Sequence, residues 1–242
     1  MKGVILAAGA GIRLKSLTRE FPKPLVPVLG RPLIDYTIEA FVQAGFNRLG
    51  VVAGHKGHLL RQYLGAGNRY GISIQYLPNV HYRQGNATSI LASQPFVQNE
   101  PFIVSMADHM ISTAILESLL ACAGRSHILC MDRRAHALTQ ISDATKVWVD
   151  EKGFVVYIGK DLVRFNALDT GVFFFTPRIF HNISICLHDG PCSITRAVRH
   201  MIASGDPLGT CDVSGSFWLD VDTPDDLRYA SSVLRRRALI AG

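Results

Sequence analysis

Along the first half of the chain, short apolar runs rich in β-branched residues alternate with stretches whose apolar positions recur every three or four residues. Residues 3–8 (GVILAA), 48–54 (RLGVVAG), 73–78 (SIQYLP), 101–108 (PFIVSMAD) and 127–132 (HILCMD) are of the first kind. Runs this short and this continuously apolar predict strands buried on both faces of a sheet. Residues 31–45 (RPLIDYTIEAFVQAG) are of the second kind, with Leu33, Ile34, Ile38, Phe41 and Val42 at helical spacing and Gly45 placed to end the helix. The alternation predicts an α/β fold: a Rossmann-like, mostly parallel sheet flanked by helices on both faces.

After Asp143 the texture changes. Residues 145–162 (TKVWVDEKGFVVYIGKDL) read as two strands joined by a turn at 151–153, and 169–177 (DTGVFFFTP) add another strand. Residues 193–205 read as a helix, and 217–242 as a strand running into a helix. There Thr223 stands as N-cap, Pro224 takes the first helical position, and Asp225 and Asp226 face the positive end of the dipole. No linker or repeat interrupts the pattern, so one domain over 1–242 with a small β-rich insertion is expected.

Composition narrows the setting. With 242 residues and 48% hydrophobic content the chain can bury a substantial core. No stretch reaches the ~18 uninterrupted apolar residues of a membrane span, and the apolar start is too short for a signal peptide; a cytoplasmic enzyme without an integral membrane segment is expected. The five cysteines are odd in number and lack the close paired spacing of a zinc site, so reduced, mostly buried thiols are expected. A net charge of +6 suits anionic ligands, while the scatter of the basic residues argues against a nucleic-acid surface.

The candidate chemistry begins at residues 6–13 (LAAGAGIR). Leu6, Ala7, Ala8, Gly9 and Gly11 leave a strand with little side chain, so main-chain N–H groups can approach phosphate oxygens, and Arg13 can add a forked clamp. The loop is not a dinucleotide fingerprint, because the third glycine would fall at Leu14 and no acidic residue ends the second strand. Alone, the loop also admits a second reading, a tight strand-to-helix turn that holds nothing. The second piece, residues 21–33 (FPKPLVPVLGRPL), has proline on both sides of Lys23. That predicts an extended segment, closed to helix, which holds the lysine toward the phosphates.

Together, Leu6–Arg13 (L-A-A-G-x-G-x-R), 22–28 (P-K-P-L-x-P-V) and 30–34 (G-x-P-L-I) resemble the opening of the nucleotidyltransferases that make nucleotide-activated sugars and alcohols. The resemblance implies attack of a substrate phosphate on the α-phosphorus of a nucleoside triphosphate, with release of pyrophosphate. It implies catalytic roles for Arg13 and Lys23 and a Mg²⁺ ion held by carboxylates. Asp108 ends a buried strand at the edge where such sheets bind ligands and matches the family's first metal-binding Asp. Asp220 and Asp222 lie on one face of the last strand, and either can reach the ion; Asp220 matches the family's W-x-D position. His109 is left outside the core set.

On the acceptor side, Lys160 matches the lysine that binds the sugar phosphate, though the flanking Glu and Pro are absent. Asp169, Thr170 and Gly171 match an N-T-G stretch with Asp in place of Asn. Gly85, Asn86 and Ser89 form a G-N-x-x-S pattern similar to cytidylyltransferases, and the whole is most like the CTP:inositol-1-phosphate cytidylyltransferases. The expectation is therefore transfer of a cytidylyl group from CTP to a phosphorylated polyol such as inositol 1-phosphate. A guanylyl, uridylyl or thymidylyl donor with a sugar 1-phosphate, and a non-catalytic nucleotide sensor, are the alternatives. Nucleotide binding is assigned to about 1–140, the acceptor to about 141–215 and the second metal ligand to 216–242. A homodimer is left open.

Overall fold

The computed structural model describes residues 1–124, 126–134 and 143–241. The strands are β1 (Lys2–Ala7), β2 (Pro27–Val28), β3 (Arg31–Pro32), β4 (Arg48–Ala53), β5 (Ser73–Pro78), β6 (Phe102–Met106), β7 (His109–Ile111), β8 (His127–Asp132), β9 (Lys146–Val149), β10 (Val155–Gly159), β11 (Ala167–Phe175), β12 (Leu208–Asp212) and β13 (Trp218–Asp220). The helices are α1 (Leu33–Gln43), α2 (Gly57–Leu64), α3 (Ala87–Ala92), α4 (Gln94–Val97), α5 (Thr113–Cys122), α6 (Arg178–His188), α7 (Ile194–Ala203) and α8 (Pro224–Ala241). Every strand and helix expected from the apolar pattern is present.

In the main sheet β5, at one edge, is followed by β4, β1 and β6, all parallel. β11 then lies antiparallel to β6, β8 antiparallel to β11, and β12 parallel to β8. The β9–β10 hairpin joins the other end of β11 through Ala167 and Leu168, as the β-rich insertion. The two-residue period of the strands divides the core. Val4, Leu6, Phe102 and Val104 pack toward α4, α6 and α7, with Phe96, Phe180 and Val198 among their neighbours. Ile5, Val51 and Ile103 pack on the other face with Ile38 and Phe41 of α1, Leu60 of α2 and Leu119 of α5. Both faces are thus covered by helices. A third, smaller cluster joins Leu14, Val28, Leu33, Met110, Leu219 and Ala230 beneath the ends of β7 and β13.

Two expectations are corrected. Lys23–Leu25 is one turn of 3-10 helix rather than an extended segment; Pro24 falls within the first turn, where its fixed φ is compatible with helix and its missing N–H is not needed. Cys186 and Cys192 form a disulfide, with Cα atoms 5.9 Å apart, rather than remaining reduced. α6 and the following turn bring their sulfurs together, which sequence spacing alone does not reveal. Cys122, Cys130 and Cys211 are free thiols. No helix among the described residues is long and apolar enough to cross a membrane.

Candidate active site

The loop after β1 turns back at Gly11, whose φ of +63° and missing side chain let Lys23 approach. A Cβ on Gly11 would lie 2.5 Å from Lys23 Cβ. Lys23 is only 6% exposed. Its ammonium donates to Asp108 Oδ2 at 2.5 Å and also to Asp222 Oδ1. Arg13 places Nη2 2.5 Å from Asp222 Oδ2 and donates from Nη1 to Asp143 Oδ2 at 2.5 Å.

The acidic partners come from two distant parts of the chain. β7 and β13 form a two-stranded antiparallel sheet in which Asp220 faces His109, so Asp108, His109 and Asp220 meet at one end of it. His109 Nδ1 lies 3.0 Å from Asp108 Oδ1 and 3.9 Å from Asp220 Oδ1. The imidazole rests against Gly171, where a Cβ would come within 2.7 Å of the ring; Gly171 has a φ of +77°. Behind Asp222, the start of α8 is capped reciprocally: Thr223 Oγ1 accepts from Asp226 N, and Asp226 Oδ2 accepts from the N–H groups of Asp222 and Thr223.

Burial of these charges shapes their titration. Burial alone would raise Asp108, but Lys23 and His109 hold it well below the usual carboxylate range. Burial works against charge on Lys23 as well, and Asp108, Asp220 and Asp222 outweigh it, holding the proton above the ordinary lysine range. Burial likewise opposes an imidazolium at His109, yet Asp220 and Asp108 push its pKa up to about 9. Asp220 is pushed up to about 7 by burial, with His109 opposing and Asp108 and Asp222 reinforcing.

The donor set suits a divalent cation. One ligand atom each from Asp108, His109 and Asp220 lie within 4.8 Å of one another. Asp220 Oδ1 is buried without a hydrogen-bond partner, a cost that a hard cation would remove. Asp222, by contrast, spends both oxygens on Lys23 and Arg13.

A cavity of about 580 Å³ opens in front of this cluster. Arg13, Asn86, Asp108, Lys160, Asp169, Gly171, Asp220 and Asp222 all line it, which brings most of the sequence candidates together. Lys160 Nζ donates to Asp143 Oδ1 at 2.8 Å. Asp169 accepts from Gly171 N at 2.7 Å, and burial pushes its pKa up to about 6 against that hydrogen bond. Asn86 Oδ1 accepts from Ile194 N at the start of α7.

Other candidates lie apart from the cavity wall. Leu6, Ala7 and Ala8 are buried, and Ala8 O accepts from His55 N. Gly9 lies in the loop after β1 and Gly85 just before α3; Gly85 packs so tightly on Cys192 that a Cβ would meet its carbonyl oxygen. Ser89 is buried and accepts from Asn79, and Thr170 is buried and donates to Cys130 O. The apolar pattern gave no signal for His109 or Asp143, polar residues whose place in the site depends on tertiary pairing. For His109 the only available hint was its position next to Asp108.

Residues 2–137, more than half of the chain, match the nucleotidyl transferase family, and the chain belongs to that family. In particular, it is 33% identical over 231 residues to the "Bifunctional IPC transferase and DIPP synthase" of Rubrobacter xylanophilus, covering 95% of this chain and 51% of that protein. It is 32% identical over 237 residues to the protein of the same name from Aquifex aeolicus, covering 98% and 52%. The chain thus spans about half the length of these relatives. Among solved structures, the inositol-1-phosphate CTP transferase from T. maritima superimposes with a TM-score of 0.85 at 26% identity, over 96% of this chain and 94% of that one. A UDP-glucose pyrophosphorylase complexed with UDP-glucose, 20% identical, shares the fold with a TM-score of 0.81 over 98% of both chains.

Proposed function

We propose that this protein transfers a nucleotidyl group, cytidylyl before others, from a nucleoside triphosphate to a phosphorylated polyol such as inositol 1-phosphate. A phosphate oxygen of the acceptor attacks the α-phosphorus, the bond to the β-phosphate breaks, and pyrophosphate leaves. The observation that carries the reading is the half-buried cluster of Asp108, His109 and Asp220 on one cavity with Arg13, backed by the buried Lys23. The T. maritima transferase, similar over nearly the whole chain, supports the choice of CTP and inositol 1-phosphate.

Asp108 and Asp220 hold Mg²⁺ in this reading, and the ion supplies positive charge that offsets repulsion between the reacting anions. Lys23 keeps Asp108 ionised and holds the Asp108 and Asp222 side chains in place. Arg13, anchored by Asp222, presents its guanidinium to the triphosphate, in whose recognition Leu6, Ala7, Ala8, Gly9 and Gly11 supply main chain, and Gly85, Asn86 and Ser89 order the base-side wall. Lys160 orients the acceptor phosphate, and Asp169 and Gly171 face the polyol, with Thr170 fixing their strand from behind. No general base is required, because a phosphate monoester is already largely dianionic near neutral pH.

A pyrophosphate-release assay crossing four nucleoside triphosphates with inositol 1-phosphate, hexose 1-phosphates and phosphocholine tests the reading. CTP with inositol 1-phosphate should give the highest kcat/KM, and Asp220→Asn should lower it by about a hundredfold or more. Full turnover by Asp220→Asn, or nucleotide binding with no turnover on any acceptor, would remove the proposal. The second outcome would favour a nucleotide sensor.

A further inference from the structure

One carboxylate at the mouth of the cavity joins the two halves of the site. Asp143 Oδ2 accepts from Arg13 Nη1 at 2.5 Å, and Asp143 Oδ1 accepts from Lys160 Nζ at 2.8 Å. Arg13 comes from the loop after β1 and Lys160 from the end of β10, yet both reach the same anion. The three side chains are about half exposed, at 49%, 52% and 52%, and all line the cavity. The two oxygens of a carboxylate and two oxygens of a phosphoryl group accept from a guanidinium or an ammonium in the same way and at similar spacing.

We propose that Asp143 is a displaceable stand-in for a substrate phosphate: it holds Arg13 and Lys160 converged on one point and yields that point when a phosphate group binds. The inference rests on reading the cavity as a site for phosphate groups. Arg13 shows both kinds of anchor at once. Its Nη2 is tied to Asp222, whose side chain is 10% exposed and also engaged by Lys23, so that contact is fixed. Its Nη1 is tied to Asp143 at the solvent-facing mouth, where ion pairs are weak and exchangeable. A polyphosphate carries more charge than one carboxylate and competes well there. Asp143 keeps two neighbouring cations ordered and aimed, and so lowers the cost of organising them around the ligand.

Calorimetric titration of the full chain with inorganic pyrophosphate, without added metal, tests this. Asp143→Asn should bind pyrophosphate about three- to tenfold more tightly than the parent. Glu151→Gln, which removes the same charge from the turn between β9 and β10, should leave binding unchanged, and the gain should shrink when Lys160→Gln is added to Asp143→Asn. Unchanged or weaker binding by Asp143→Asn, or an equal gain in Glu151→Gln, would overturn the inference. Asp143→Asn that raises only the KM for the acceptor would also overturn it, marking a hydroxyl contact instead. Tighter pyrophosphate binding without nucleotidyl transfer would leave the inference standing and remove the proposed function.

Discussion

Gly171 is a residue whose replacement by anything larger acts directly on the candidate site. Its φ of +77° is costly for other residues, and its bare Cα is the surface against which His109 lies. Gly171→Ala should lose about 1–3 kcal/mol of stability in urea denaturation. It should also lower activity, because the displaced ring disturbs Asp108 and Asp220. Asp108, Asp220 and Arg13, which line the candidate site, were legible because the motif around each is local. Lys23 was legible as a residue of the site but not in its setting. Read as a lysine held out toward phosphates, it instead sits buried between two carboxylates of the protein, and those partners lie far away in sequence.

At the scale of elements, the reciprocal cap at the start of α8 does more than begin a helix. Asp226 accepts from the main chain of Asp222, so the cap also fixes Asp222, the carboxylate just after β13 that holds Arg13 and Lys23. Asp226→Ala should cost about 1–2 kcal/mol in thermal or urea unfolding. It should reduce kcat/KM more than Thr223→Ala does, since Thr223 reaches only the helix. The cap was legible because Thr, Pro and Asp follow one another at the required offsets. The strands were legible because each carries a short run of buried apolar residues, though in the edge strand β5 exposed Ser73 and Gln75 interrupt it. α6 was not anticipated: its apolar residues Ile179, Phe180, Ile183 and Cys186 do recur at helical spacing, but they follow directly on the apolar strand β11 and merge with it. The place of β11 between β6 and β8 was illegible as well, since strand order is set by pairing between distant segments.

For the molecule as a whole, Asp169 is one of the groups through which pH acts on stability, beside Asp108, His109 and Asp220. A free aspartate titrates near about 3.9, whereas Asp169 in the folded protein is raised to about 6 by burial. The folded state therefore binds this proton more tightly than the unfolded chain. Its contribution to stability is complete below about pH 4 and is lost as pH rises through about 6. Asp169→Asn, which keeps the acceptor for Gly171 N, should gain about 1–2 kcal/mol over the parent at neutral pH and nothing near pH 4. Urea denaturation at the two pH values reads the difference. A constant difference at both would show that Asp169 acts by packing alone.

The short sheet of β7 and β13 closes the site by joining segments from the middle and the far end of the chain. A chain refolding from denaturant has no complete set of donors until that long-range contact forms. In the proposed metal site, the moment at which a refolding chain gains affinity for a divalent ion should therefore report when β7 and β13 pair.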